Sequence, residues 1–166
     1  MSYHSLLFQS RFKAIARIVL ALLIAALIGC ASTPEIKPQI QTQQPLIGYA
    51  LSLQGIPYRY GKETPEEGFD CSGFVKHVYG KQGVWLPRTT HEMASTLPSV
   101  PNYDLRSGDL VFFNVSGKTY SHVGIFINDD KFIHAPSQRT GRVLVSSMNN
   151  GYWRKRFVGA RRPRTH

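Results

Sequence analysis

The residues of this 166-residue chain that are best suited to covalent chemistry surround Cys71, in the segment Gly68–Gly73 (Gly-Phe-Asp-Cys-Ser-Gly). Asp70 is a favoured residue type for a helix N-cap, which predicts that Cys71 lies in the first turn of a helix. Unpaired backbone N–H groups and the positive end of the helix dipole favour an anion there, so we expect a lowered pKa for the thiol. The same N–H groups could stabilise the oxyanion that forms when a carbonyl is attacked. The alternative is a small buried hydrophobic residue, the usual fate of a lone cysteine, and both interpretations stay open on this segment alone.

Two of the six histidines could serve such a cysteine. His122 and His134 each lie inside an apolar stretch typical of a strand, where a polar ring needs a hydrogen-bond partner. Two histidines satisfied within a sheet are the alternative. His77 and His91 fall on predicted helices and are expected to be solvated. His91 also fails the zinc-protease pattern, because Ser95 stands where the second histidine is required.

Hairpin geometry decides whether His122 and His134 can meet. They share a face of an antiparallel hairpin only if the loop between their strands holds an odd number of residues. A three-residue loop, Asn128–Asp130, satisfies this condition. It sets Gly124 opposite His134 and places His122 one diagonal step away, roughly 7–8 Å between backbones, which two imidazole rings can span. A two-residue turn would put the histidines on opposite faces.

The elements that must position these residues change type once along the chain. Helices are predicted first, over Leu46–Leu53, from Asp70-Cys71 to Gly80 or Gly83, and over Thr89–Ser95. Helices followed by a strand meander predict an α+β fold, with N-terminal helices packed on a mainly antiparallel sheet of about five strands. From Asp109 onward, apolar stretches separated by turn residues predict these strands as Leu110–Phe113, His122–Ile127, Lys131–Ala135, Arg142–Ser146 and Phe157–Arg161.

Residues 1–29 have the features of an export signal. Cations precede the eleven-residue apolar run Ile18–Ile28, which is too short to span a bilayer. The run ends in Leu-Ile-Gly-Cys30, which resembles the bacterial lipobox and implies lipidation of Cys30, while Ala31 implies sorting to the outer membrane. A signal anchor with an incidental cysteine is the alternative. A lipidated Cys30 could not form a disulfide with Cys71, which would leave Cys71 a free thiol in an oxidising compartment.

Length and composition limit the number of domains and the kinds of partner that the rest of the chain can have. Residues 31–45 hold three prolines and four glutamines, which predicts a flexible tether, and residues 46–166 suffice for one globular domain, which excludes a two-domain enzyme. The formal net charge is +10, and residues 131–166 carry nine Lys or Arg and no carboxylate. Such a basic face suits an anionic polymer or lipid head groups, although most such segments are simply solvated. Nucleic acid is not expected as a partner of an exported lipoprotein.

Six segments together resemble the NlpC-type papain-like cell-wall peptidases, over nearly all of residues 46–162. Tyr152-Trp153 and Ala160–Arg162 are similar to the small lipoprotein members of that family, murein endopeptidases of Gram-negative bacteria. Lys62 departs from the pattern, since the family commonly has a second glycine there. The six segments are Tyr58–Gly61, Phe69–Val75, Leu86–Thr89, Ser107–Phe113, His122–Ile125 and Phe132–Ala135.

The resemblance implies a role for each candidate residue. Cys71 would be the nucleophile, His122 the base that holds it as a thiolate, and His134 the group that orients His122. No metal or other cofactor is implied. Substrate-binding positions are implied beside the cysteine at Tyr58 and Asp70, with Arg88 and Thr89 as weaker candidates.

The implied substrate is the peptide stem of peptidoglycan, cut either between D-Glu and the diamino acid or at the cross-link between D-Ala and the diamino acid. Two other functions fit the residues. A zinc site of Cys71, His122 and His134 has suitable ligand types but lacks a closely spaced Cys/His pair. A catalytically idle peptidoglycan-binding lipoprotein on the same fold is the second alternative, against which the intact Cys71, His122 and His134 argue.

Overall fold

The computed structural model describes residues 43–164. The predicted signal segment, Cys30 and residues 31–42 of the predicted tether lie outside this range. No helix between residues 43 and 164 is long and apolar enough to cross a membrane. The helices are α1 (Gln43–Ser52), α2 (Cys71–Gly80), α3 (Thr90–Thr96) and α4 (Gly151–Arg154), with a 3₁₀ turn at Asn102–Asp104. The strands are β1 (Glu63–Thr64), β2 (Gly68–Phe69), β3 (Ser99–Val100), β4 (Leu110–Phe113), β5 (His122–Phe126), β6 (Lys131–His134), β7 (Leu144–Ser147) and β8 (Phe157–Arg161).

Helix α1 begins three residues before the predicted start, so positions 43–45 are helical rather than part of a tether. Leu46 and Ala50 are buried in the core, and their spacing of four residues gives the helix one face that packing stabilises, with Leu53 buried directly after the helix. Pro45 is tolerated in the first turn because the N–H that it lacks has no partner within a helix there. Packing of the apolar face therefore extends the helix into a segment whose composition is typical of a coil.

Six strands form one sheet in the order β3-β8-β4-β5-β6-β7, and every neighbouring pair is antiparallel. This confirms the predicted α+β fold and adds one strand to the five that the sequence predicts. The additional strand, β3, is two residues long and pairs with β8 at an edge of the sheet, so it offers too little pattern to be recognised. Strands β1 and β2 form a separate two-stranded hairpin against α2.

The β5–β6 hairpin has the predicted register. Ile125 pairs with Ile133, and the pairing continues beyond β5 because the Ile127 N–H donates to the Lys131 carbonyl oxygen at 2.8 Å, which leaves Asn128–Asp130 as a three-residue loop. Continuing this register sets Gly124 opposite His134, as predicted. A Cβ atom on residue 124 would lie 3.1 Å from the Cβ atom of His134. The absence of a side chain at Gly124 therefore makes room for the histidine.

Helix α2 packs on one face of the sheet and carries its first residue, Cys71, to the start of β5. Phe74 and Val78 of the helix are fully buried in the same cluster as Ile125 and Ile133 of the sheet. The opposite face of the sheet holds a second apolar cluster, against which Trp153 of α4 packs. The first cluster thus holds α2 against the sheet, and the second holds α4 against the opposite face.

A buried ion pair attaches the end of β8 to the sheet. The fully buried carboxylate of Asp109 accepts from Nε of Arg162 at 2.7 Å through Oδ1 and from Nη2 at 2.8 Å through Oδ2. Asp109 also accepts from the backbone N–H of Arg106 at 2.8 Å. Arg162 is one of the nine cations of the basic segment, so this segment is not only a solvated face.

We predict that Gly124→Ala lowers the free energy of unfolding by about 1–3 kcal/mol, because the new Cβ would lie 2.6 Å from Cδ2 of Phe132 and 3.0 Å from the Ile133 carbonyl oxygen. Urea denaturation followed by circular dichroism measures the change. Gly48→Ala is the matched control, since Gly48 is inside α1 with open space where a Cβ would stand. The control should be stabilised by about 0.5–1 kcal/mol. An unchanged midpoint for Gly124→Ala would contradict the close packing at this position.

Candidate active site

Asp70 and Gly73 position Cys71 as the first residue of α2. The Oδ1 atom of Asp70 accepts from the Gly73 backbone N–H at 2.7 Å, which is the predicted N-cap. A Cβ on residue 73 would lie only 2.2 Å from the Lys62 carbonyl oxygen, so the preceding loop lies directly against this turn. The sequence Asp-Cys-Ser-Gly therefore combines a cap, a nucleophile type and a close backbone approach within four residues.

The carboxylate of Asp70 is saturated by contacts within the chain. Its Oδ2 atom accepts from the Gly61 backbone N–H at 2.9 Å and from Nη2 of Arg88 at 2.7 Å. Nη1 of Arg88 donates to Oδ1 of Asp70 at 3.1 Å and to the Ser72 hydroxyl at 2.9 Å. Asp70 and Arg88, both predicted to bind substrate, thus bind each other at the start of α2.

Thr89 and Tyr58 make different contacts near this arrangement. Thr89 is the N-cap of α3, and its hydroxyl forms a capping box with Glu92. Tyr58 bridges to Phe69, two residues before Cys71. Burial raises the pKa of the Tyr58 phenol, and the nearby Cys71 and Asp70 add to the rise. Tyr58 is thus beside the thiol, whereas the polar groups of Thr89 are engaged in a helix cap.

The structure brings His122 and His134 together as predicted from the hairpin register. Nε2 of His122 is 2.7 Å from Nδ1 of His134, and both rings are buried. The second nitrogen of His134, Nε2, is 2.9 Å from the Ser146 hydroxyl. Since Nε2 of His122 is engaged, Nδ1 is the ring nitrogen that remains for Cys71.

The thiol of Cys71 faces the start of β5. Burial raises the pKa of Cys71 to about 11, and the Asp70 carboxylate adds to this effect. Hydrogen bonds from the backbone N–H groups of Val123, Ser72 and Cys71 itself act in the opposite direction. The expected lowering of the pKa is therefore wrong in net direction, because burial outweighs the helix-start N–H groups. The contact with Val123 brings the sulfur to the residue that follows His122 in β5.

Both histidine rings are neutral near pH 7. Burial lowers the pKa of His122 to about 3, and the pKa of His134 is lowered by burial and by the neighbouring His122 ring. The resting site thus combines a thiol with an unprotonated imidazole, and not a stable ion pair. Transfer of a proton from the sulfur to His122 needs a partner charge, which a polarised substrate carbonyl can supply.

Trp153 encloses the histidine pair. Its ring stacks on that of His122 with centroids 5.4 Å apart and an interplanar angle of 28°, and it lies nearly perpendicular to the ring of His134 with centroids 4.8 Å apart. Sequence reasoning noted Tyr152-Trp153 only as a family feature and did not place Ser146 at the site. Helix α4 has only four residues, which is too short for a sequence pattern to predict that Trp153 packs on the histidines. The irregular connection between β6 and β7 likewise gives no basis for predicting which residue of β7 lies beside His134.

The two histidines that are predicted to lie on helices differ in their exposure to solvent. His91 is exposed, as predicted, but His77 is half buried, and its Nε2 atom is 2.8 Å from the Tyr49 hydroxyl. The prediction of a solvated His77 is wrong because α1 packs against α2 and brings Tyr49 over the ring. Within residues 43–164, no three side chains of His, Cys, Asp or Glu are arranged to hold a metal ion.

Comparison with known proteins gives one consistent set of relatives. The chain is 46% identical over 110 residues to the murein DD-endopeptidase MepS/murein LD-carboxypeptidase of Escherichia coli K12, covering 66% of this chain and 56% of that protein. It is 41% identical over 116 residues to the murein DD-endopeptidase MepH of the same organism, covering 67% and 42%. The chain thus spans about half the length of these relatives.

A solved structure and a family model point to the same group of proteins as these relatives. A crystal structure of an NlpC/P60 family protein from Bacillus cereus ATCC 10987 superposes with a TM-score of 0.68 at 29% identity, covering 73% of this chain and 40% of that one. The sequence model of the NlpC/P60 family matches residues 55–162, which include the thiol at the start of α2 and both histidines of the β5–β6 hairpin. On this match, the chain belongs to the NlpC/P60 family.

Proposed function

We propose that the protein is a peptidoglycan endopeptidase that hydrolyses amide bonds through Cys71. The observation that carries the proposal is the hydrogen bond between Nε2 of His122 and Nδ1 of His134, which leaves Nδ1 of His122 for a thiol beside Val123. Relatives whose names state a murein endopeptidase activity support the substrate class.

The reaction follows from these positions. As Sγ of Cys71 attacks the amide carbonyl carbon, the thiol proton passes to Nδ1 of His122. The backbone N–H groups at the start of α2 stabilise the oxyanion, and Tyr58 lies against the substrate on the neighbouring side. His122 then gives its proton to the leaving nitrogen, which leaves a thioester on Cys71. Water, deprotonated by His122, attacks the thioester, so that the acid departs and the thiol is restored.

We further infer that the bond cut is the cross-link amide between D-Ala and the diamino acid. The two E. coli relatives named above are murein DD-endopeptidases, which favours this bond over the one after D-Glu. Asp70 and Arg88 act in this proposal mainly by fixing the start of α2, since their charged groups already pair with each other. Tyr58 is the predicted substrate-binding residue that lies beside the thiol.

The protein acts at the periplasmic face of the cell envelope in this proposal, held by a lipid on Cys30 and sorted to the outer membrane. The short apolar run before Cys30 supports export, and the lipobox-like Leu27–Cys30 supports lipidation. Peptidoglycan is the partner that the endopeptidase relatives support.

Cys71→Ala should abolish hydrolysis, with a loss of at least about 10³-fold, because the variant has no nucleophile. Mass spectrometry of muropeptides after digestion of isolated peptidoglycan measures this: the wild-type protein should convert cross-linked dimers to monomers. Cys30→Ala is the matched control, since it removes the other cysteine and should keep the activity of the purified protein. Binding of peptidoglycan without cleavage by the wild-type protein would instead support an idle binding lipoprotein.

The dependence of kcat/KM on pH should be a wide bell. Burial lowers the pKa of His122, so protonation of the base should occur well below the ordinary value of about 6.5, and burial raises the pKa of Cys71, so loss of the thiol proton should occur above about 9. Below a pH of about 6.5 the unfolded chain binds more protons than the folded one, so the free energy of unfolding decreases as the pH is lowered. Circular dichroism at each pH therefore separates unfolding from titration of the site. An acidic limb centred at or above 6.5 in folded protein would contradict a neutral resting pair.

Replacing Cys30 by Ala should release the protein from membranes, because the proposed lipid is the membrane-binding element. Partitioning into a detergent phase measures the anchor, and Cys71→Ala serves here as the control that should stay with the detergent. Retention of the Cys30→Ala variant in the detergent phase would indicate an uncleaved signal anchor.

A further inference from the structure

The far end of the histidine pair is bound by a hydroxyl. His134 is fully buried, so both of its ring nitrogens need hydrogen-bond partners. Nδ1 has His122, and Nε2 has the hydroxyl of Ser146 at 2.9 Å. Ser146 lies on β7, opposite Phe132 of β6, and is therefore a diagonal neighbour of His134 on the same face.

These two contacts link the tautomers of the two rings. A single hydrogen lies between Nε2 of His122 and Nδ1 of His134. If His122 donates it, then Nδ1 of His122 is bare and can take the proton of the Cys71 thiol, and neutral His134 must carry its own hydrogen on Nε2, which donates to Ser146. If His134 donates it, then the hydrogen of His122 is on Nδ1, and the ring cannot act as a base towards Cys71.

The surroundings of Ser146 favour the productive arrangement. Strand β7 is an edge of the sheet, and Ser146 is only partly buried, so its own hydroxyl hydrogen can point to solvent while a lone pair of Oγ accepts from His134. The ring of His134 cannot exchange its two nitrogens by turning over, because Phe132 and Trp153 pack on it with centroids at 4.5 and 4.8 Å. The hydrogen-bond partner of Nε2 therefore influences which nitrogen of His134 is protonated.

We propose that Ser146 is a positioning residue for the reaction, which holds His134 in its Nε2–H tautomer and thereby keeps Nδ1 of His122 free to accept the proton of Cys71. This inference rests on the proposed function only in giving His122 the role of base. Ser146 acts through His134 and touches neither Cys71 nor the reacting carbonyl.

The variants Ser146→Val and Ser146→Thr form a matched pair, because the two side chains have nearly the same shape and suit a strand, and only threonine keeps the hydroxyl. In Ser146→Val the rate of Cys71 alkylation by iodoacetamide at pH 7 should fall about three- to tenfold, the effect of one lost hydrogen bond. In Ser146→Thr it should stay within about twofold of wild type. For peptidoglycan fragments, kcat should fall in Ser146→Val while KM is unchanged.

The tautomer is read directly from the ¹⁵N chemical shifts of the imidazole nitrogens in histidine-labelled protein. Wild type and Ser146→Thr should show His134 protonated on Nε2 and bare on Nδ1, and Ser146→Val should show a mixture. Equal alkylation rates in the Val and Thr variants, or an unchanged tautomer in Ser146→Val, would overturn the proposal. Matching thermal midpoints for the two variants exclude a folding defect as the cause of a difference between them.

These readouts separate this inference from the proposed function. Alkylation and ¹⁵N shifts need no peptidoglycan, so a protein that fails to cleave peptidoglycan but shows the expected tautomers would remove the proposed function and keep the role of Ser146. Cleavage at the wild-type rate by Ser146→Val, with His134 still protonated on Nε2, would remove the role of Ser146 and keep the proposed function.

Discussion

Asp70 presents one carboxylate to the first turn of α2 and to two loops at once, and the position of Cys71 depends on it. The carboxylate caps the helix through Gly73, holds the loop before it through Gly61, and pairs with Arg88 from the segment before α3. A buried charge is stable only when such contacts replace its hydration. The same residue raises the pKa of Cys71, so the group that positions the thiol also opposes its ionisation.

The neutral state of the site follows from its depth in the fold. Cys71 contacts the Val123 backbone where α2 reaches the start of β5, one residue after His122, and burial disfavours both a thiolate and an imidazolium. In such a site, charge is expected to form mainly when a carbonyl arrives and shares it with the helix-start N–H groups. A thiol that stays protonated at rest is also a poorer target for oxidants, because the thiolate is the reactive form.

Local rules predict the parts of the site that are close in sequence. The cap at Asp70 and the meeting of His122 with His134 follow from residue preference and from the parity of a three-residue loop, and both are present in the structure. The contacts of Trp153 and Ser146 could not be predicted, because each depends on where a later segment crosses the sheet. The predicted direction of the Cys71 pKa shift is wrong for a related reason.

Burial is a property of the whole fold, and a pattern of neighbours along the chain does not contain it. The half-buried His77 shows the same limit, since its ring is covered by Tyr49 from another helix. The start of α1 at Gln43 shows this limit too, because burial of Leu46 and Ala50 outweighs a composition typical of a coil. What the sequence predicts correctly is thus local geometry, and what it misses is the environment that distant segments create.

The ion pair of Asp109 and Arg162 makes the order of synthesis matter for folding. Asp109 lies at the start of the central strand β4, whereas its partner Arg162 is made 53 residues later. A ribosome-bound or partly translocated chain that lacks Arg162 would have to bury this carboxylate without its counter-ion, which is unfavourable by several kcal/mol, on the order of 3–5. Strand β4 can therefore be buried stably only after Arg162 has emerged, so the strand that pairs with the histidine-bearing β5 gains its full stability late in synthesis.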